Sequence, residues 1–594
     1  MVNRRNVYSL PARRPLKIFA FDPMLGRTAG NKITVSVLNE PLTPGPMGER
    51  VQVIDYDPVN RRLYQPVNLD DPAVLMNDGL DPTESDPRFH QQMVYTVAMK
   101  VLENFEAALG RTLTFRDRKP LRIFPHALED ANAFYDPELV AILFGYFRAD
   151  SEDPGPNLPG QTIFSCLSHD IVAHEVTHAI VDRLRPNFKE PSNRDVYAFH
   201  EGFSDIVAIF QHFSFQEILA GTIQRTRTDL RSPTPMVRLA QQFGYATGMG
   251  QALRSALDPD SRPDPKLYQT VLEPHERGSI LVAAVFEAFF NVYQGRIKDL
   301  VRIATGGTGT LPEGDLYPDL VNRIAKEASK TAQNVLTMCI RAFEYLPPVD
   351  ITFGDFLRAL VTADYDLVRS DDVGLRAAFI EAFRVRGVTL ENVASLGEES
   401  ILWENREADN IKLPFEPFQH AIVLQTLGFE RRTTRLTKQG REERDKRRKA
   451  RDDQAFQLRN FVKQPRIMEW MNLDPALGEP DLAGFHTNFR FSPDNQLLIE
   501  LVAQFVQEDV TARSDDEYGG ARLQGGATVV ATADGTIRYV ISKPVTDSRR
   551  SILREHVASW DREDPLMAWG SQDDRSDRMT RRMRFAALHR TIPR

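Results

Sequence analysis

Ser168-His169-Asp170-Ile171-Val172-Ala173-His174-Glu175-Val176-Thr177-His178-Ala179-Ile180-Val181 reads as a buried helix that carries a metal ion. The apolar runs Ile171-Val172-Ala173 and Ala179-Ile180-Val181 flank His174 and His178. Helical residues four apart project from one face, so both imidazoles reach the same ion. Glu175 stands beside them, placed to take a proton from a water on that ion. A catalytic zinc ion takes three protein ligands and keeps a fourth position for water. Glu201-Gly202-Phe203-Ser204-Asp205, on a second helix, supplies the missing group. Glu201 is the third ligand. Asp205, four residues on, accepts a hydrogen bond from the outer nitrogen of a ligating histidine and so fixes its tautomer. The alternative for the two acids is a solvated helix face. Apolar neighbours Phe203, Ile206, Val207 and Ile209 weigh against it.

Working outward, the helical pattern runs from Ser168 to about Phe213 and is interrupted by a loop over 185–194. Residues 87–110 show apolar residues at helical spacing and end in Gly110, a C-cap residue. Leu121-Arg122-Ile123-Phe124, Ile33-Thr34-Val35-Ser36-Val37-Leu38 and Leu16-Lys17-Ile18-Phe19-Ala20-Phe21 read as strands. Helices dominate from residue 213 to about 387, among them an apolar segment over 280–290 that contains Glu287 and reads as buried. The loop Thr305-Gly306-Gly307-Thr308-Gly309-Thr310 lacks the Lys-Ser/Thr ending of a phosphate cradle and reads as surface. Composition shifts near residue 395. Residues 430–452 form a mostly basic run with interleaved acids, read as a solvated helix or linker, with a nucleic-acid or acidic-partner contact as the alternative. Beyond it, Ala527-Thr528-Val529-Val530-Ala531 and Thr536-Ile537-Arg538-Tyr539-Val540-Ile541 flank Asp534-Gly535 as a β-hairpin.

The chain has 594 residues, enough for about three to five folding units. A hydrophobic share of 42% and a charged share of 26% are those of an ordinary globular protein. The net charge of −8 gives no global electrostatic case for nucleic acid. Two cysteines, Cys166 and Cys339, cannot build a disulfide framework. No secretory h-region follows the N-terminal charges, and no run reaches the roughly 18 apolar residues of a membrane span. The expectation is a cytoplasmic protein, or one exported by a route without a cleaved signal.

Across residues 85–385 the chain resembles the thermolysin-like neutral zinc metallopeptidases of the gluzincin group. Beyond the two metal motifs, Asn132-Ala133-Phe134-Tyr135 matches that family's edge strand, which binds substrate backbone by β-addition. Arg254-Ser255, followed by Asp258-Pro259, matches the segment whose arginine grips the carbonyl beyond the scissile bond. His275, before Gly278-Ser279 and a helix, matches the histidine that stabilises the transition state. Ile171 and Leu253 match positions lining the pocket just beyond that bond, which implies cleavage before apolar residues. There are departures. Ser192 stands near the place of the family's oxyanion tyrosine, leaving Tyr197 either as its substitute or as core. The acid orienting the histidine is absent from its usual distance, leaving Glu273 or Glu276. Asp170 matches a calcium ligand, but His212 occupies the place of another acidic one, so a structural Ca2+ lacks part of its ligand set.

The resulting expectation is an α+β protein with a two-lobed metalloprotease fold: a β-rich lobe over 1–165, a helical lobe over 166–394, and a C-terminal α+β extension over 395–594. The expected activity is zinc-dependent endopeptidase action on peptide or protein substrates, with one catalytic Zn2+. The alternative is a catalytically restrained or non-catalytic relative acting as a binding module. A metalloaminopeptidase would carry a Gly-x-Met-Glu-Asn segment, which the chain lacks.

Overall fold

The computed structural model describes residues 11–27, 30–116, 119–152, 154, 157–232, 234, 236, 238–239, 254–255, 263–311, 313–417, 438–491, 496–509 and 523–563. The architecture is mixed α+β with several separate sheets. Strands β1 (Arg13–Phe19) and β2 (Lys32–Leu38) form an antiparallel pair. After β3 (Val51–Val53), the short pair β4 (Tyr56–Asp57) and β5 (Arg62–Leu63), and helix α1 (Pro72–Met76), the chain enters helix α2 (Pro87–Leu109). Its punctuation is written in sequence. Asp86 caps the start by accepting from the Arg88 amide, Pro87 opens the first turn where its missing N–H costs nothing, and Gly110 ends it with φ of 67°.

Helix α2 packs against β1, β2 and β3 and against β6 (Leu121–Glu129). The main N-terminal sheet runs β3-β6-β8-β7, with β9 (Thr162–Phe164) also on β8. Strands β3, β6 and β8 (Ala141–Arg148) are parallel, and β7 (Ala133–Asp136) is antiparallel to β8 with Ala133 opposite Phe144. Strand β7 is therefore an edge strand, as its sequence suggests.

A 3-10 turn, Ser165–Leu167, leads from β9 into helix α3 (His169–Leu184). A second turn, Pro186–Lys189, precedes helix α4 (Arg194–His212), capped by Asn193, and helix α5 (Gln216–Thr226) follows. Strands β10 (Arg238–Leu239) and β11 (Arg254–Ser255) pair antiparallel. Helix α4 packs on α3 and on the 31-residue helix Pro274–Ala304. The second contact is backbone to backbone. A Cβ on Gly202 would lie 2.6 Å from the Gly278 carbonyl oxygen, and one on Gly278 would lie 2.9 Å from that of Ala198. Two helices can come this close only where both lack side chains. Helix Pro274–Ala304 is long and apolar enough to cross a membrane by length and composition, but 67% of its apolar window is buried. It packs on α4 and on helices Pro318–Arg341 and Leu375–Arg384.

Beyond residue 395, the Lys438–Val462 helix carries the part of the basic run, 438–452, that lies within the described residues, and buries its C-terminal end through Leu458, Phe461 and Val462. A four-stranded antiparallel sheet follows: β12 (Asp481–Phe491), β13 (Leu497–Glu508), β14 (Gln524–Ala531) and β15 (Ile537–Lys543). The β14–β15 hairpin turns at Asp534-Gly535, with φ of 86° at the glycine. Side chains alternate between the faces of a strand. Leu501, Ala503 and Val529 point into a small core with Leu458, Phe461 and Met471. Val502 and Val530, one residue away, join the main core of the molecule instead. Ion pairs and a hydrogen bond reinforce the second face. Glu344 lies 3.1 Å from Arg111 and 2.6 Å from the His486 ring, Asp350 2.5 Å from Arg549, and Asp355 2.7 Å from Lys543. The segment beyond residue 395 thus has a small core of its own and also contributes to the main core.

These contacts make the fold sensitive to acid. Burial, then the charge of Arg111, pushes His486 down to about 4; burial, then Arg194, pushes His556 down to about 3. Both are neutral in the fold, whereas a histidine in the unfolded chain titrates near about 6.5. Below that pH the unfolded state binds more protons, so stability falls as pH drops and levels off beneath the folded values. Each group contributes a slope of about 1.4 kcal/mol per pH unit inside that window. Urea midpoints measured from pH 7.5 to 5 are expected to fall. A flat profile would show that these imidazoles are not held neutral.

Candidate metal centre

Helices α3 and α4 bring the three expected ligands together. His174 Nε2 and His178 Nε2 lie 2.9 Å apart. Glu201 Oε2 is 3.2 Å from the first ring and Oε1 is 3.6 Å from the second. All three side chains are buried. Bonds of about 2.0–2.2 Å to a tetrahedral ion place ligand atoms roughly 3.3–3.6 Å apart. Glu201 therefore meets the two rings at about that spacing, through Oε2 on one side and Oε1 on the other, while the two imidazole nitrogens lie closer together. The nitrogen–nitrogen–oxygen set is also one that zinc accepts.

The outer nitrogens are held as ligands require. His174 Nδ1 lies 2.8 Å from Asp205 Oδ1, the partner read from the ExxxD spacing. Asp205 accepts a hydrogen bond from Nδ1–H and leaves the Nε2 lone pair facing His178 and Glu201. His178 Nδ1 lies 3.3 Å from Ser204 Oγ and 3.2 Å from His200 Nδ1. Glu175 is also buried, and one of its oxygens lies within 4.8 Å of a ring nitrogen of each histidine. Replacing Asp205 with Asn keeps the side chain's size but not its charge. We expect zinc affinity to fall about 10–100-fold, read by competition with a chromogenic chelator. Unchanged affinity would remove Asp205 from the support of His174.

His275 reaches the centre because α4 and helix Pro274–Ala304 touch at Gly202 and Gly278. Its Nε2 is 3.2 Å from Glu201 Oε2, and its Nδ1 is 2.8 Å from Glu273 Oε1. Of the two acids that the sequence leaves open, Glu273 is the one hydrogen-bonded to His275. It is also the N-cap of that helix, its other oxygen accepting from the Glu276 amide at 2.7 Å. Burial would raise its pKa, but the bonds from His275 and from the backbone hold it below the ordinary carboxylate value.

The other expected residues are placed as follows. Tyr197 is buried, and its hydroxyl donates to the Lys189 carbonyl at 3.1 Å. Asn132, just before the edge strand, accepts the Gly145 amide on its carbonyl at 2.9 Å. Its Oδ1 is buried with no hydrogen-bond partner among the described residues. Ala133 begins β7, Ile171 is half-buried in the first turn of α3, and Arg254 begins β11. Leu253 and Asp258-Pro259 lie outside the described residues. At the expected calcium position, Asp170 Oδ1 lies 2.7 Å from His212 Nε2 and 3.7 Å from His169 Nδ1. Calcium takes six to eight oxygen ligands, and this group offers one carboxylate between two imidazoles.

His200 and Ser204, which flank His178, were not assigned from sequence. Their positions on the Glu201 helix carry a weak signal, since Ser204 is one turn beyond His200 on the same face. No protein-family model matches the chain, and no curated protein matches it.

Proposed function

We propose that the chain is a zinc-dependent endopeptidase with the two-lobed fold of the thermolysin-like metallopeptidases, the cleft lying between edge strand β7 and helices α3 and α4. The observation that supports this best is the convergence of His174, His178 and Glu201 on one point, with Asp205 behind the first ring. When bound, zinc supplies a Lewis acid that acidifies water and polarises a carbonyl. Glu175 accepts the proton of the attacking water and delivers it to the leaving amine. His275, steadied by Glu273, donates a hydrogen bond to the oxygen that gains charge. Strand β7 receives the substrate backbone by β-addition, with Asn132 and Ala133 at its start. Arg254 positions the carbonyl beyond the cut. Tyr197, committed to the Lys189 carbonyl, supports the turn before α4.

Ile171 gives the pocket beyond the cut an apolar wall, so cleavage is proposed on the amino side of Leu, Ile or Phe. A buried unpaired charge is penalised far more than one methylene, which shifts preference by about 1–3 kcal/mol. The test is elemental analysis of purified protein, with cut sites in a generic peptide mixture mapped by mass spectrometry. Zinc at the centre and cuts before apolar residues are expected. Zinc without cleavage would favour a binding module, and a preference for acidic or basic residues would move the pocket elsewhere.

A further inference from the structure

A second cluster of buried ligand-type side chains lies outside the catalytic helices. His90 lies on α2, His126 on β6 and Cys166 in the turn before α3. One ring nitrogen of each histidine and the Cys166 Sγ lie within 4.8 Å of one another, and all three residues are buried. His90 Nδ1 faces His126 Nε2 at 2.9 Å, the same separation as the two catalytic imidazoles. The outer nitrogens are held too. His126 Nδ1 is 2.7 Å from Asp55 Oδ1, and His90 Nε2 is 3.1 Å from the Glu84 carbonyl oxygen. Asp55 is fixed in turn by Gln91, which donates to its other oxygen at 2.8 Å.

Counting protons shows what the cluster requires. The contact to the Glu84 carbonyl needs an N–H on His90 Nε2, because a carbonyl only accepts. The contact to the Asp55 carboxylate needs one on His126 Nδ1. A neutral imidazole has one N–H, so both rings have then used theirs. The two nitrogens that face each other at 2.9 Å are left with lone pairs and no proton between them. An extra proton bridging them, its charge balanced by the Asp55 carboxylate, is the metal-free arrangement. A cation satisfies both lone pairs, and the pattern that results, imidazoles on the ion with a carboxylate and a backbone carbonyl behind them, is the usual support of metal-bound histidine.

We propose that His90, His126 and Cys166 bind a second zinc ion, with a water in the fourth position, and that it ties α2 and β6 to the turn that leads into α3. Two imidazoles and a thiolate suit a borderline-soft divalent ion and supply three of the four ligands of a tetrahedral zinc. The ion takes the place of the thiol proton, which leaves to solvent as binding occurs. Cys166 lies in the 3-10 turn immediately before the helix carrying His174 and His178. Its neighbour Ser165 donates to the Gly145 carbonyl of β8 at 2.8 Å. An ion here anchors the start of the catalytic helix without touching the reaction.

The site can be read separately from the catalytic one, whose ligands contain no sulfur. The full-length protein is stripped with a chelator and titrated with Co2+. Binding at the proposed site gives a thiolate-to-cobalt charge-transfer absorption in the near ultraviolet that saturates at one ion per chain. That absorption is expected to persist in His178→Ala, where the catalytic centre is broken, and in Cys339→Ser, which removes the only other cysteine. It is expected to vanish in Cys166→Ser, together with one of two bound ions. Absence of the absorption in cobalt-loaded wild type would overturn the proposal whether or not the variants fold, and would make the cluster a metal-free chain that shares a proton. Loss of the absorption in Cys339→Ser would also overturn it. Failure of the endopeptidase reading would leave it intact.

Discussion

Glu175→Gln is expected to retain its zinc and lose about two to four orders of magnitude in kcat. The expectation follows from the division of labour in the centre. His174, His178 and Glu201 meet one another within 3.6 Å, so the ligand set is complete without Glu175. Glutamine fills the same volume but cannot accept and return a proton. KM should change little, because the peptide is held by other residues. Metal analysis and steady-state kinetics on the same preparation separate the outcomes. A variant that loses zinc would make Glu175 a ligand, and one that cleaves like wild type would remove it from the chemistry.

The largest expected loss of stability comes from Glu344→Ala, a residue far from the metal in function. Its carboxylate is buried, and burial would raise its pKa, but the hydrogen bond from the His486 ring and the charge of Arg111 hold it well below the ordinary value. Arg185, also buried, is pushed down to about 10 by burial and pulled back up by Glu344. Removing one member of a buried charged group leaves the others without a counter-charge, at a cost of about 3–5 kcal/mol. The urea midpoint of the variant should drop accordingly. Glu381→Ala, which breaks the exposed pair with Arg384, should leave it unchanged. Equal effects from the two substitutions would mean that Glu344 is solvated.

Local chemistry accounts for what could be read before the fold was seen. Gly110 ends α2, and Asp534-Gly535 makes the hairpin turn, because capping and turn geometry depend on a few adjacent residues. The faces carrying His174, His178, Glu201 and Asp205 follow from helical spacing alone. Elements set by distant pairing were not legible. The parallel ladder β3-β6-β8 joins short strands with no common sequence signal. Glu344 meets His486 across 142 positions. The sharing of one core between the C-terminal sheet and the helices before it is likewise a long-range property. Glu273 could not be chosen over Glu276 by spacing; its role as N-cap decides the matter, by turning its carboxylate back toward His275.

The crossing of the two helices at Gly202 and Gly278 bears on any attempt to transplant this centre. Glu201 precedes one glycine and His275 lies three residues before the other, so the gap between their side chains is fixed by two residues that have none. A scaffold offering the right ligands on helices kept apart by ordinary side chains would hold the histidine too far from the carboxylate. Copying the centre into another protein therefore means copying a bare stretch of backbone as faithfully as the side chains that converge there.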